Sequence, residues 1–342
     1  MEEDKGTVCV TGATGYVASW LIMRLLQHGY SVRATVRSDP ANCKKDISYL
    51  TNLPEASKKL QFFHADLNKP DSFNTAIGGC IGVFHLAHPM DVDGKESEEA
   101  VTKRAVEGTL GILRACLNSK RSVKRVLYIS SAATILYNNK GLSVADESTW
   151  SDLDICRSSK LVNPSYLLSK TITERIALEF AAKNGLDLIT LVLPLVVGSF
   201  ICPTTPSSVS LALAMILGEE DHYEYLMHSY MVHIDDVASA QIFLLEYPNA
   251  QGRYICSSAE MTMHQMYEFL LARYPEFQLP NMEDFFSFSL DLSLDSHFKK
   301  STSYGHSSLS SMKLLSTGFK FKYGVQEMFD GAIRCCKEKG FL

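Results

Sequence analysis

The chain has 342 residues, of which 46% are hydrophobic and 21% are charged. That length allows one main domain with a smaller appendage, since domains typically run to roughly 100–200 residues. The formal net charge is −5 at pH 7. It argues against nucleic acid or an anionic membrane as partner, because both attract proteins that carry a positive surface.

Targeting and metal-binding patterns are missing from the sequence. The first residues, MEEDKGTVCVTG, begin acidic and lack the basic start and apolar core of a signal peptide. No run approaches the roughly 18 apolar residues of a membrane span. The nine cysteines form no C-x-x-C pair, which argues against both a zinc site and a disulfide framework. We therefore expect a soluble, cytoplasmic protein with reduced thiols and no metal.

Six short runs rich in β-branched residues are each followed by a stretch with helical spacing. They are Thr7–Val10, Ser31–Val36, Leu60–Phe63, Gly82–Leu86, Val123–Ile129 and Leu186–Leu193. Such alternation predicts parallel strands joined by crossover helices. The fold class is therefore α/β, a Rossmann-type parallel sheet with helices on both faces.

The pattern loosens beyond Pro194, where prolines recur and only Gly252–Cys256 still has the composition of a strand. We expect a cofactor domain over residues 1–194, to which 231–257 return. Residues 195–230 and 258–342 would form a smaller, C-terminal substrate lobe. Within that lobe, residues 286–295 alternate apolar and polar with period two, which fits an edge strand, a lid or a surface loop.

A glycine-rich turn follows the first predicted strand. The sequence TGATGYVA, residues 11–18, leads into helical apolar spacing over Ser19–His28. Because glycines have no side chain, a pyrophosphate can approach the backbone N–H groups at the positive end of that helix. The short-chain dehydrogenase pattern G-x-x-G-x-x-G has Ala18 in place of its third glycine. The turn residues that we expect to contact the cofactor are Gly12, Thr14, Gly15, Tyr16 and Val17.

The end of the second strand favours NADP(H) over NAD(H). An NAD enzyme places an acid there for the ribose 2′-hydroxyl, whereas this chain has Arg37. A guanidinium can pair with a 2′-phosphate through forked hydrogen bonds, and Lys44 can add charge. Asp66, after the third strand, can accept from the adenine amino group. A solvated surface arginine and a loop-capping aspartate are the competing interpretations.

Three residues form a candidate catalytic set. Ser131 follows a predicted strand, and ligands of open α/β sheets bind beyond the carboxyl ends of strands. Tyr166 and Lys170 stand four residues apart, which places them on one face of a predicted helix. We expect the Lys170 ammonium to lower the pKa of the phenol, so that Tyr166 exchanges a proton with a carbonyl or alcohol oxygen. The alternative is a core tyrosine near a surface lysine.

The chain closely resembles the plant extended short-chain dehydrogenases/reductases of the dihydroflavonol reductase, vestitone reductase and noscapine synthase group. The shared segments include VCVTGATGYVASW, HADLNKPDSF, EGTLGILRAC, YISSA, YLLSK, PLVVGSF, MVHIDDVA and GRYICSS. The resemblance implies the roles given above for Ser131, Tyr166, Lys170 and Arg37. It also implies that Lys170 holds the nicotinamide ribose. The cofactor residues expected in addition are Leu67, Ala87, Pro194 and Val197.

Departures from that group concern the substrate. Dihydroflavonol reductases have asparagine where this chain has Leu136, and they tend to have glutamine near Met227. Leucine and methionine cannot hydrogen-bond the hydroxyls of a flavonoid, which would stay unsatisfied on burial. We therefore expect a bulky, largely apolar aromatic substrate. The residues expected to contact it are His88, Met90, Leu136, Met227 and Tyr230.

The expected activity is NADP(H)-dependent hydride transfer to a carbonyl of an isoflavanone- or alkaloid-like plant metabolite, by a monomer. An alternative, similar to noscapine synthase, is NAD(P)⁺-dependent oxidation of a cyclic hemiacetal to a lactone. A redox-inactive NADP-binding regulator and a sugar-nucleotide epimerase or dehydratase are further alternatives. His233 and the pair Asp235-Asp236 could suggest a metal site or a triad, but their spacing favours helix capping.

Overall fold

The computed structural model describes residues 5–37, 46–89, 96–159, 162–281 and 307–342. Lys44 and Met90, two of the predicted site residues, lie outside the described residues. So does the segment 286–295 with its period-two pattern.

The described strands form one large sheet and two small ones. In chain order they are β1 (Thr7–Thr11), β2 (Ser31–Val36), β3 (Leu60–His64), β4 (Gly82–His85), β5 (Arg125–Ser131), β6 (Val144–Ala145), β7 (Leu188–Leu193), β8 (Leu195–Val197), β9 (His228–His233), β10 (Gly252–Ile255), β11 (Ala259–Thr262) and β12 (Ser308–Leu309). The large sheet has the order β10-β7-β5-β4-β1-β2-β3, and every pair in it is parallel. The predicted α/β class and all of its predicted strands are confirmed.

Helices cover both faces of the large sheet. In chain order the described helices, including those that pack in the lobe beyond Pro194, are α1 (Tyr16–Gln27), α2 (Ser48–Thr51), α3 (Ala56–Lys59), α4 (Asn74–Ile77), α5 (Glu98–Asn118), α6 (Leu153–Ser158), α7 (Pro164–Asn184), α8 (Ser207–Ala212), α9 (Ala214–Leu217), α10 (Ile234–Glu246), α11 (Met263–Arg273), α12 (Met312–Ser316) and α13 (Val325–Glu338). Val8 and Val10 of β1 pack in a core with α1 and α10, and Cys9 packs with α5 and α7 on the other face. None of the described helices combines the length and apolarity needed to cross a bilayer.

A second sheet, of three strands, lies beyond Pro194. β8 is parallel to β9, and β11 is antiparallel to it. The expectation that only Gly252–Cys256 is a strand in this region was wrong. These strands are short, and β9 includes two histidines and a serine, so they lack the continuous apolar composition that identified the central strands.

The end of β9 joins this small sheet to the rest of the fold. His233 is the N-cap residue of α10, and its Nδ1 accepts a hydrogen bond from the Asp235 backbone N–H at 3.1 Å. This confirms the helix-capping prediction. The buried Asp236 carboxylate accepts from the backbone N–H groups of Lys322 and Tyr323 at 3.0 and 3.2 Å. Because an unpaired buried N–H is costly, this carboxylate holds the C-terminal segment against α10.

Candidate active site

The turn between β1 and α1 presents bare backbone to a ligand. Gly12 has a φ of +71°, and a Cβ at this position would lie 3.0 Å from the Cα of Ala87. Glycine is therefore required, both for the left-handed backbone and for the close approach. Gly15 is the N-cap residue of α1, and its N–H donates to the Gly12 carbonyl at 3.0 Å. A pyrophosphate fits this surface, because it lies in front of the positive end of a helix.

Two cavities of about 590 Å³ each meet at this turn and share Gly12, Gly15 and Leu86. We call the first the strand-end cavity, because it lies beyond the end of β5. Its lining includes Tyr16, Val17, Ser131, Leu136, Tyr137, Val162, Tyr166, Lys170, Pro194, Leu195, Val196, Pro206 and Tyr230. We call the second the arginine cavity. Its lining includes Thr14, Arg37, Asp66, Leu67, Ala87, His88, Glu96 and Arg104.

The arginine cavity brings together most of the residues predicted to bind the adenosine half of the cofactor. Arg37 is exposed just after β2 and lines this cavity. The Asp66 carboxylate accepts from the backbone N–H and the side-chain amide of Asn68, at 2.9 and 3.1 Å. Asp66 therefore caps its own loop, which was the alternative to binding the adenine. It also lines the cavity.

Sequence reasoning did not identify an ion pair in the wall of the arginine cavity. The Arg104 guanidinium on α5 contacts the Glu96 carboxylate through two hydrogen bonds, of 2.6 and 2.8 Å. Both residues belong to a charge-rich stretch whose composition is that of an ordinary solvated helix face. Only the packing of α5 beside β4 places the pair at the cavity.

The strand-end cavity contains the three predicted catalytic residues. Ser131 is the last residue of β5, and its Oγ accepts from the Ala133 backbone N–H at 3.2 Å. Tyr166 lies in the first turn of α7, which starts with Pro164 after the N-cap residue Asn163. Proline suits this position, because its missing N–H would have no partner in the first turn. Tyr166 and Ser131 both line this cavity.

Lys170 is buried one helical turn further along α7. Its side chain is 7% exposed, and Nζ donates to the Ile129 carbonyl of β5 at 3.1 Å. Burial lowers the pKa of Lys170 to about 8, while the Glu174 carboxylate opposes that change. The ammonium form therefore still predominates at neutral pH, although with a smaller margin than for a surface lysine.

The expectation that Lys170 lowers the pKa of Tyr166 was wrong for this structure. Burial raises the pKa of Tyr166, and the hydrogen bond with Ser131 offsets only part of that change. The physical reason is that the cavity wall removes water from the phenolate, whereas the ammonium is directed at the Ile129 carbonyl. The phenol is therefore a proton donor at neutral pH.

The predicted substrate residues divide into two groups. Leu136 and Tyr230 line the strand-end cavity, and the Tyr230 hydroxyl donates to the Ser307 carbonyl at 2.7 Å. Met227 does not line either cavity, and its side chain is 37% exposed on the surface of the lobe.

Among the predicted cofactor residues, Pro194 lines the strand-end cavity, while Val197 is fully buried in the lobe core.

His88 lies on the arginine-cavity side of Tyr166 and does not reach the described wall of the strand-end cavity. Its ring meets the Tyr166 ring edge-on, with centroids 5.9 Å apart. Its Nε2 is 3.2 Å from the Ser169 hydroxyl. Burial, with Lys170 as a second cause, holds the pKa of His88 well below its usual range, so this histidine is neutral.

The sequence did not predict several residues that line the strand-end cavity. Tyr137, Val162, Leu195 and Pro206 come from four separate loops or strand ends, and they surround the region in front of Tyr166. Their residue types are unremarkable in the sequence, apart from the position of Tyr137 directly after Leu136. They are mainly apolar, so the wall offers a substrate more contact area than hydrogen bonds.

The chain is similar to several plant proteins over nearly its whole length. It is 55% identical to Protein BRI1-5 ENHANCED 1 of Arabidopsis thaliana, covering 99% of this chain and 91% of that protein. It is 48% identical to vestitone reductase of Medicago sativa, covering 100% of both. Noscapine synthase SDR1 of Papaver somniferum is also 48% identical, over 100% of this chain and 95% of that protein.

The fold agrees with these similarities. The crystal structure of vestitone reductase from alfalfa superposes with a TM-score of 0.83, over 99% of this chain and 100% of that one, at 46% identity. Residues 8–256 match the NAD dependent epimerase/dehydratase family. That family is NAD(P)-dependent, and a dinucleotide fits the glycine turn and the two adjoining cavities. The chain belongs to this family, the extended short-chain dehydrogenases/reductases, and is an NAD(P)(H)-dependent oxidoreductase.

Proposed function

We propose that this protein uses NADPH to reduce the ketone of a bulky, largely apolar aromatic compound, such as an isoflavanone or an alkaloid of similar shape. The observation that carries the proposal is the strand-end cavity. It combines Ser131, Tyr166 and Lys170 with an apolar wall, directly beside the glycine turn. The 48% identity to vestitone reductase, over the full length of both chains, supports a reductase.

The side chains of the cavity have separate roles in this reaction. When bound, the reduced nicotinamide supplies a hydride to the carbonyl carbon. Ser131 and Tyr166 hydrogen-bond the carbonyl oxygen, and Tyr166 donates its phenolic proton to that oxygen as negative charge develops. Lys170 lies one helical turn from Tyr166, and its ammonium would hold the nicotinamide ribose.

The charge states of these groups favour reduction. Because burial raises the pKa of Tyr166, the phenol keeps its proton at neutral pH, and reduction needs a donor. Lys170, with a pKa of about 8, is predominantly an ammonium at the same pH. Oxidation would instead require Tyr166 to start as a phenolate.

The wall of the cavity limits the substrate class. Leu136, Val162, Leu195 and Pro206 carry no hydrogen-bonding side chain. The Tyr230 hydroxyl already donates its proton to the Ser307 carbonyl, so it has no donor left for a ligand. Hydroxyls buried against these four residues stay unsatisfied, whereas methoxy and methylenedioxy groups require no acceptor. Elsewhere the lining includes the polar side chains of Tyr137, Ser207 and Ser208. We therefore infer that substituted aromatic ethers bind better than polyphenols.

A second candidate is the oxidation of a cyclic hemiacetal to a lactone, which the 48% identity to noscapine synthase SDR1 favours. Incubation with NADP⁺ and hemiacetals, in parallel with NADPH and aromatic ketones, separates the two directions. The proposal requires that turnover with NADPH and ketones be the faster.

The choice of cofactor depends on Arg37. Replacing it, Arg37→Ser, should weaken NADPH at least roughly tenfold and leave NADH nearly unchanged, because only NADPH has a 2′-phosphate for the guanidinium to pair with. Fluorescence titration measures both affinities. Arg121→Ser removes the same charge from an exposed site before β5, at the opposite edge of the sheet, and should affect neither. Equal losses for NADPH and NADH in Arg37→Ser would show that the arginine is structural.

The proton donor is tested by Tyr166→Phe, which keeps the ring and removes only the hydroxyl. Turnover should fall by roughly 10²–10⁴-fold, as is typical for loss of general acid catalysis, while NADPH affinity stays within about twofold of the unmodified enzyme. Tyr267→Phe removes a phenol from α11, away from both cavities, and should retain full activity. Near-normal turnover of Tyr166→Phe would refute the assignment.

The substrate class is tested by Leu136→Asn. The substitution places an amide in the apolar wall, so kcat/KM should fall for the best methoxylated ketone and rise, if it changes at all, for a dihydroflavonol. Steady-state kinetics with both substrates gives the comparison. If the unmodified enzyme reduces dihydroquercetin as readily as any methoxylated ketone, this account of the cavity is wrong.

A further inference from the structure

Behind the strand-end cavity lies a buried carboxylate that the mechanism does not use. Glu174 of α7 is fully buried. Its oxygens accept from the hydroxyls of Ser130 and Thr190 at 2.7 and 2.6 Å. They also accept from the Arg253 Nε and Nη2 atoms at 3.0 and 3.3 Å. Four donors on one carboxylate fix its orientation.

The Arg253 guanidinium has further partners besides Glu174. Its guanidinium donates to the backbone carbonyls of Glu147 and Thr149, both at 2.8 Å. Its plane lies over the Trp150 ring, with Cζ 3.7 Å from the ring centroid. A guanidinium with this many partners has one available position, so the ion pair with Glu174 acts as a rigid anchor between α7 and β10.

This anchor contacts the strand end that carries Ser131. Ser130, whose hydroxyl donates to Glu174, directly precedes it. Thr134 accepts from Arg253 Nη2 at 2.9 Å and donates through the same hydroxyl to the Ser131 carbonyl at 3.0 Å. The backbone of the serine is therefore tied to the ion pair on both sides.

The same carboxylate acts on Lys170, which lies one helical turn before it on α7. The titratable groups that face Lys170 from its own helix and from the neighbouring elements are Tyr128, Tyr166, His85 and His88. Burial keeps both histidines neutral and raises the pKa of both tyrosines. Among the described residues, Glu174 is thus the negative charge that stabilises the ammonium.

We propose that Glu174 is a positioning residue for the reaction, which fixes Ser131 relative to Lys170 and preserves the ammonium charge of Lys170. The inference rests on the proposed function, because it concerns the same three catalytic residues. Glu174 lines neither cavity and acts through its partners.

The direct test is the pH dependence of kcat in Glu174→Gln, an isosteric change that removes the charge. Without the carboxylate, Lys170 loses its proton at lower pH. The alkaline limb of the profile should therefore move down by about one pH unit, while kcat at pH 6 stays within about threefold of the unmodified enzyme. Glu174→Asp keeps the charge and should keep the alkaline limb in place. If the alkaline limb of the kcat profile does not move in Glu174→Gln, Glu174 does not preserve the charge of Lys170.

A matched control is available in the same sheet. Asp187 pairs with the buried Arg125, whose Nε and Nη2 lie 3.0 and 2.9 Å from the carboxylate. The pair lies at the start of β5, at the edge opposite the cavities. Asp187→Asn therefore removes a carboxylate from a buried arginine without affecting Lys170, and it should leave the pH profile unchanged. An equal shift in this variant would show that loss of an ion pair alone causes the effect.

Two milder variants test positioning even if Glu174→Gln does not fold. Ser130→Ala and Thr190→Val each remove one hydroxyl donor to Glu174, at nearly equal distances. Only Ser130 adjoins the catalytic serine. Ser130→Ala should lower kcat about tenfold with NADPH affinity preserved, because small displacements of a catalytic group are costly. Thr190→Val should stay within about twofold of the unmodified kcat. Equal kcat values for the two variants overturn the positioning role.

These outcomes are separable from failure of the proposed function. If Tyr166→Phe turns over normally, the catalytic assignment fails, whatever the Glu174 variants do. If Tyr166→Phe is inactive while Glu174→Gln keeps the unmodified pH profile and Ser130→Ala keeps full kcat, only the role of Glu174 is refuted.

Discussion

The parallel arrangement of the large sheet is the constraint on which the site depends. Because β1, β4 and β5 run in one direction as neighbours, the segments that follow them meet at a single edge. The Thr11 hydroxyl at the end of β1 accepts from the backbone N–H groups of Leu86 and Ala87 after β4, both at 3.1 Å. This contact presses the loop after β4 against Gly12, so the bare glycine turn and the strand end of Ser131 border one continuous space.

Burial of polar groups beside that space sets the chemistry. Removing water raises the pKa of Tyr166 and lowers that of Lys170 to about 8, which places the pKa of Lys170 below that of Tyr166, the reverse of their order as free side chains. The Ile129 carbonyl and the Glu174 carboxylate keep the ammonium charged despite its burial. A phenol that keeps its proton, on the same helix as a buried ammonium, is an arrangement suited to reducing a carbonyl.

Local patterns in the sequence predicted the features that depend on local structure. Continuous apolar runs identified the central strands, and four-residue spacing placed Tyr166 and Lys170 on one helix face. The direction of the Tyr166 pKa shift could not be predicted, because it depends on walls contributed by distant loops. The ion pair between Glu174 and Arg253 could not be predicted either, because the two residues are 79 positions apart in the sequence. The exposure of Met227 was also missed, because its position follows from short strands with no clear apolar pattern.

The central claim is that a hydride passes from the cofactor to a carbonyl carbon in the strand-end cavity, while Tyr166 supplies the proton. The most direct measurement uses NADPH that carries deuterium at the transferred position of C4, with a panel of methoxylated isoflavanones and other aromatic ketones. The account predicts an alcohol with deuterium on the carbon that bears the hydroxyl, and no deuterium on that carbon when unlabelled NADPH is used in D₂O. An unlabelled alcohol from the labelled cofactor, or turnover only with NADP⁺ and hemiacetals, would contradict it.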